Sequence, residues 1–367
     1  MEGKTSEVGA SQAIQEDHLR WKPIKSLDLS RPTAYGDLPA VLVNEDQKVQ
    51  GFDAMKAFCE QHGASIRQQM AEVGCVLLRG FPVQGPKEFE EVLQGIGLEL
   101  SDNYIGGLSP RTALTDHVFT STEAPGDFVI TYHNEMCYLK DRPETIAFCC
   151  DVAPEVYGET PLFSSAAMLQ ALSPALRGKL QAAGLKYRRW NPGQRSRINV
   201  QKTLEDVFNT SDREKIEEVL ARIGATWQWD AKGDLYFDLN VPATVVHPHT
   251  QKECLNLILF NRHSHPADTK HFPGRWNRLK LALIHRAIKF KYANKKFFCR
   301  TLHADGAEIT ANEVREIIGA AWKHSIVFKW QKGDVLLLDN ILWGHGRLNT
   351  RPPRRILAAL GKAYSVS

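Results

Sequence analysis

The stretch Thr131-Tyr-His-Asn-Glu-Met-Cys137 constrains this chain more than any other. It reads as a β-strand, and strand side chains alternate between two faces. His133 and Glu135 then point the same way, about 7 Å apart along the backbone. An imidazole and a carboxylate side by side are two ligands for a divalent metal. Far downstream an apolar strand returns in Val335-Leu-Leu-Leu338, ends in Asp339-Asn340, and is followed by His345. Two His and one carboxylate on one face, with coordination positions left open, form the arrangement used by non-haem Fe(II) centres.

A His-x-Glu pair also occurs by chance, and the block from Gly333 to Leu357 is what raises its weight. There a strand ends in a polar turn, a His follows, and the pair Arg354-Arg355 opens another strand. A guanidinium fork matches a carboxylate bidentately. An oxygenase using a dicarboxylic keto acid needs such a group near its iron.

Composition narrows the class. The 367 residues are 43% hydrophobic and 24% charged, as in an ordinary soluble protein with a large core. The net charge of +4 selects no class of partner. Seven Cys, without a Cys-x-x-Cys spacing, argue against a disulfide framework. Cys149-Cys150 read as packing residues, and Cys137 as a small wall residue beside His133 and Glu135. The polar N-terminus does not read as a signal peptide, and no apolar run is long enough to span a bilayer. The expectation is a cytoplasmic protein in a reducing compartment.

Along the chain, residues 1–37 form an N-terminal extension and residues 38–367 one domain. Helices are expected from about Phe52 to Ala71 and from Pro86, where Phe89, Val92, Leu93 and Ile96 share a face. Cys75–Arg79 reads as a strand. Residues 165–225 read as helical, with Ser211 and Glu214 as a capping box. Trp227-Gln-Trp229 and Leu235-Tyr-Phe237 flank a hairpin turn. A further helix opens at Thr310 with Glu313, so helical insertions are expected around 165–225 and 270–325. Helices inserted among antiparallel strands imply one elaborated β core.

Other constellations compete. His247-Pro-His249 and His263-Ser-His265 are same-face pairs without a carboxylate at ligand spacing, and they read as solvated or substrate-facing. Lys270 to Arg300 carries ten Lys/Arg and no Asp/Glu, with aromatic residues interleaved. A solvated helix face, a dock for an acidic protein partner, and a nucleic-acid contact fit this strip in that order. There is no Gly-x-Ser-x-Gly elbow, phosphate loop or dinucleotide fingerprint.

In the order and spacing of Ser109-Pro-Arg111, Ser121-Thr-Glu-Ala-Pro125, His133-Asn-Glu-Met136, Gly158-Glu-Thr-Pro161, Gly333-Asp334, Asp339-Asn340, Gly344-His-Gly346 and Pro353-Arg-Arg-Ile356, the chain resembles the taurine dioxygenase-like (TauD/TfdA) family of Fe(II)/2-oxoglutarate-dependent oxygenases. The nearest branches are the clavaminate-synthase-like proteins and the hydroxylases of nonribosomal peptide pathways. The resemblance runs from about Leu38 to the C-terminus. It implies a double-stranded β-helix (jelly roll) with helices packed outside, an α+β, mainly β fold. It implies His133, Glu135 and His345 as iron ligands, and Thr160 with Arg355 as the holders of the distal carboxylate of 2-oxoglutarate. Alternation alone does not choose between Arg354 and Arg355; the family's motif selects Arg355. Tyr157-Gly158 replaces a usual glycine pair, and Tyr132 is bulky, which bears on substrate identity. Glu135 argues against halogenation, because family halogenases carry a small residue there. The implied reaction consumes O₂ and hydroxylates an unactivated C–H of a small amino-acid-like substrate, free or tethered to an acidic carrier protein. Arg111 is the candidate for a substrate carboxylate. Desaturation or ring closure would use the same residues. A non-catalytic β-barrel binding protein with a vestigial metal site is the alternative of another class.

Overall fold

The structure, a computed structural model, describes residues 21–23, 39–101, 111–122, 124–127, 129–194, 202–272, 274–291 and 298–365. Of the expected extension over residues 1–37, only the strand Trp21–Pro23 lies among them. Seven strands form the larger sheet, in the order Trp21–Pro23, Ala40–Val43, Cys75–Arg79, Val335–Asp339, Thr145–Val152, Arg355–Leu360, Val118–Thr120. Four form a smaller one, in the order Ser325–Ile326, Leu162–Ser164, Trp343–Arg347, Ile130–His133. Apart from the parallel pair Ala40–Val43 and Cys75–Arg79, the pairing in both is antiparallel. The two sheets share one core, with helices packed outside. This is the jelly roll that the resemblance implies.

Burial on both faces explains the composition of the central strands. Leu336 and Leu338 face the core between the sheets, while Val335 and Leu337 face the helices Phe52–Val73 and Gly85–Gly95. The same period of two runs through the neighbours. Phe148, Cys150, Ile356 and Ala358 lie inside, whereas Ala147, Cys149, Leu357 and Ala359 lie against the helices. A strand that is apolar on both faces reads as an unbroken run. Each fully buried Leu contributes about 1.5–3 kcal/mol. All seven cysteines are buried and free, so the adjacent pair packs on opposite faces.

The helical insertions differ from expectation. Within 165–225 runs the strand Leu185–Asn191, and within 270–325 the strand Cys299–His303. They pair with each other, and Leu185–Asn191 also pairs with Leu235–Val241 of the hairpin. Arg189 faces inward at 2% exposure, its guanidinium 5.0 Å from the Phe237 ring, and this buried charge hides the strand's alternation. The helix Arg213–Arg222 is capped by Asp212, whose carboxylate accepts from Glu214 N, rather than by the expected Ser211/Glu214 box. Ser211 instead donates to Glu205. The box at Thr310 and Glu313 does form. Asp212→Ala is therefore expected to lower stability by about 1 kcal/mol in urea denaturation, and Ser211→Ala by less than about 0.5 kcal/mol.

Candidate active site

Strand Ile130–His133 pairs with Trp343–Arg347 so that His133 and His345 are direct partners. Cross-strand partners share a face, and the two imidazole centroids lie 4.2 Å apart. His133 Nδ1 donates to Thr131 O at 3.0 Å, which leaves Nε2 as the nitrogen with a lone pair for a metal. Glu135 Oε2 lies 3.9 Å from the Nε2 of each His. One ligand atom from each of the three residues falls within 4.8 Å of the others. Burial pushes the His345 imidazole well below its usual range, helped by the charges of His133 and Arg111. Burial also lowers His133, against the opposing pull of Glu135. Neutral imidazoles and an ionised carboxylate are the forms that bind a metal. The donor set fits a divalent first-row ion.

Strand alternation does not place Glu135. The strand ends at His133, and Glu135 lies in the turn that follows. Asn340 holds it instead, accepting from Glu135 N at 2.7 Å and donating to Glu135 O at 2.9 Å. The preceding residue, Asp339, ties down its own turn by accepting from Ile341 N and Leu342 N, each at 2.9 Å. It also bonds His247 Nε2 at 2.9 Å. The sequence marked Asp339-Asn340 as a motif, but no local signal tells which distant backbone an Asn will clamp.

The glycines around His345 answer close approaches. A Cβ on Gly344 would lie 2.1 Å from Tyr132 Cε2, and one on Gly346 2.8 Å from Ile130 O. Tyr132 is buried on the other side of the strand from His133, with the one proton of its hydroxyl shared between Asn134 Oδ1 at 2.7 Å and Leu255 O at 2.9 Å. Its bulk therefore fills core space behind the ligands.

Thr160 is buried, and its hydroxyl oxygen accepts from Trp330 Nε1 at 3.1 Å, which leaves the hydroxyl proton to donate. Arg355 does not join it. The Arg355 side chain is 57% exposed and pairs with Asp151. Asp151 also accepts from Gly85 N at the start of the helix Gly85–Gly95, so this pair lies on the helix-packed face of the sheet. The inward guanidinium is that of Arg354, whose Nε donates to Gly158 O at 2.8 Å. Burial and the charge of Arg347 push Arg354 down to about 9. Burial pushes Arg347 down to about 10.

Arg111 is brought to the ligands, its Nη2 donating to Glu135 Oε2 at 2.8 Å. Both side chains are 5% exposed. Ser109 and Pro110 lie outside the described residues. Cys137 turns away toward the Tyr187 hydroxyl, at 3.8 Å. His247 is not solvated but buried, and its Nδ1 accepts from Thr250. His265 is half-buried beside the ring of the buried His285, and desolvation lowers it to about 4. Among the described residues, only the His133, Glu135 and His345 group has the geometry to hold a metal.

Residues 37–360 match the family described as taurine catabolism dioxygenase TauD, TfdA family. A clavaminate synthase-like protein of Arabidopsis thaliana is 26% identical over 353 residues, covering 95% of this chain and 96% of its own. The dapdiamide synthesis protein DdaC of Enterobacter agglomerans is 26% identical over 296 residues, 80% of this chain and 84% of that one. The fold is shared with PvcB, described as an Fe, alpha-ketoglutarate dependent oxygenase from an isonitrile synthetic pathway, at a TM-score of 0.53 and 12% identity over 97% of this chain and 98% of that one. With a match that runs through the two histidines, the carboxylate and the arginine pair, the chain belongs to the TauD, TfdA family of dioxygenases and is an oxygenase.

Proposed function

We propose that this oxygenase, using iron and 2-oxoglutarate as its family does, hydroxylates an unactivated C–H of a small amino-acid-like substrate in the making of a specialised metabolite. In this reading His133, Glu135 and His345 hold the iron. Thr160 and Arg354 hold the distal carboxylate of 2-oxoglutarate, with Arg354 taking the role that the family motif gave to Arg355. Arg111, already paired with Glu135 Oε2, braces that ligand rather than meeting a carboxylate of the substrate. The observation that carries the reading is the convergence of the three ligand atoms within 4.8 Å. It is supported by the Arg354 guanidinium, whose hydrogen bond goes to a carbonyl rather than a carboxylate. The buried Arg347 guanidinium donates to the carbonyls of Ala124 and Pro125, and Glu159 is the carboxylate among the charges that act on the half-buried Arg354. Glu159 is itself pushed up by burial. Such a site favours an anion. When bound, the iron with 2-oxoglutarate and O₂ supplies the oxidation. The chain's part is to orient the keto acid and to keep water from the buried ligands. DdaC and PvcB, with their names from synthetic pathways, support the biosynthetic setting.

The helix Arg275–Lys291 supports a carrier-tethered substrate. It contains no Asp or Glu. Trp276, Leu279 and Leu283 are 73%, 50% and 61% exposed along one side, with exposed Arg275, Lys280 and Arg286 beside them. Asn277 exchanges hydrogen bonds with Asn349, and Lys280 reaches Asp127, which ties the helix to segments next to the ligand strands. An acidic carrier docked here would present its substrate beside the iron. Part of the basic strip, residues 292–297, lies outside the described residues. No helix among the described residues is long and apolar enough to cross a membrane. The seven free thiols favour a reducing compartment, and we place the enzyme in the cytoplasm.

Anaerobic addition of Fe(II) and 2-oxoglutarate to metal-free protein is expected to give a visible charge-transfer band that is absent in His133→Ala. Arg354→Ala should weaken 2-oxoglutarate about 30-fold or more, the loss expected when one partner of a buried charge pair is removed. Arg355→Ala should change it by less than about 3-fold, as for an exposed ion pair. No band in folded protein would overturn the oxygenase site, and the reverse order of the two arginines would restore the role to Arg355. For the carrier, the double variant Arg275→Glu, Arg286→Glu should lose activity on a tethered substrate and keep it on the free one. Equal losses on both would rule out docking at this helix.

A further inference from the structure

The carboxylate ligand is the one member of the triad that no strand positions. Its neighbour Met136 takes a φ of +54°, so the chain turns sharply as soon as Glu135 has been placed. We infer that Asn340 is the positioning residue of this ligand and sets the metal affinity through it. The inference rests on reading His133, Glu135 and His345 as the metal ligands.

Asn340 is fully buried. Its side chain accepts from Glu135 N at 2.7 Å and donates to Glu135 O and to Pro143 O, each at 2.9 Å. One acceptor and two donors on a single planar head are what a primary amide offers and a carboxylate does not. The Asn340 main chain is pinned as well. Its N–H donates to Glu144 O at 2.8 Å, and its carbonyl accepts from Asn134 Nδ2 at 2.8 Å. The residue ahead, Asp339, fixes the turn from the other side.

The consequence is geometric. The turn that clamps Glu135 runs directly into Trp343–Arg347, the strand that carries His345. The segment from Asn340 to His345 therefore holds the second ligand through side-chain hydrogen bonds and supplies the third itself. His133 is tied to the same strand by pairing. All three ligands are referenced to one short stretch of chain, with Asn340 as the link to Glu135. Groups that orient a ligand from behind commonly change metal affinity 10- to 100-fold when lost.

The test is a double-mutant cycle on the full-length, metal-free protein, titrated anaerobically with Co(II) alone and followed by its visible absorption. The proteins are wild type, Asn340→Asp, Asn340→Ser, Glu135→Ala and the two combinations, with apo-protein melting measured for each. Asn340→Asp keeps the acceptor and loses both donors; Asn340→Ser leaves room for water. With Glu135 present, both should weaken Co(II) about 10- to 100-fold and alter the Co(II) spectrum. In the Glu135→Ala background they should weaken it by less than about 2-fold, because the group through which Asn340 acts is gone. Equal losses in the two backgrounds, or no loss in either single variant, would overturn the proposal. Failure of both Asn340 variants to fold would also overturn it, since the residue would then serve the fold rather than the ligand. A wild type that does not bind Co(II), or a Glu135→Ala protein that binds as tightly as wild type, would remove the ligand assignment itself and the inference with it.

Discussion

The site depends on one antiparallel pairing, that of Ile130–His133 with Trp343–Arg347. It is short and interrupted, with His345 opposite His133 and a register shift before Arg347 meets Ile130. That register alone brings two imidazoles from opposite ends of the domain face to face. A slip of one residue in either strand would turn its own histidine to the other side of the sheet and part the two imidazoles. The glycines flanking His345 make the register possible, because a side chain at either would run into Tyr132 or into the Ile130 carbonyl. Tyr132 then holds the strand from behind through its hydroxyl and its edge contact with Phe163, 5.5 Å between centroids. The bulky neighbour of the first ligand thus serves the core, while His133 on the opposite face serves the site.

Behind the smaller sheet, the larger one supplies rigidity, and the residue that leads into its strand Arg355–Leu360 is Arg354. The central strands of this sheet are buried on both faces, and this sandwiching between barrel core and helices makes them hard to displace. Val335–Asp339 is among them, and it ends where Asp339 and Asn340 begin. A strand buried along its whole length thus delivers the turn that organises the site. A polar pair with no exposed surface to speak of, satisfied by backbone groups on several segments, costs little once formed. Losing one partner would leave buried groups unpaired.

What the sequence made legible follows from what is local. The helices at Phe52 and Gly85, the strand at Cys75, the hairpin around Asp230 and the box at Thr310 all arise from neighbours a few residues apart. The fold class, and the His133, Glu135 and His345 group, emerged from motif order. Misread were the cases decided by distant partners. Glu135 was placed on the right side for a wrong reason, because a turn held by Asn340 replaces the strand that alternation needs. Leu185–Asn191 hid as helix because Arg189 occupies a buried strand position, stacked near the Phe237 ring. His247 looked solvated, yet its partner Asp339 is ninety-two residues away.

The arginine pair shows how such an ambiguity is resolved. Ile356-Leu-Ala-Ala-Leu360 is apolar on both faces, so its composition does not say which parity faces the barrel core. The structure puts Ile356, Ala358 and Leu360 inside. Alternation counted back from Ile356 then sends Arg354 inward and Arg355 to the helix side. The partner strand agrees, for Phe148 and Cys150 lie inside and Asp151 lies out with Ala147 and Cys149, where it meets Arg355. A register shift occurs at this point, with Arg355 opposite Val152 and Ile356 opposite Cys150, so Asp151 is the extra residue of a bulge. Bulges re-aim side chains beside active sites. This one gives the outer guanidinium a carboxylate and leaves the inner one bonded to a carbonyl, among buried groups whose net charge is positive. Of two adjacent arginines, the one whose charge is already answered is the poorer holder for a dicarboxylate, which is the physical ground for assigning that role to Arg354.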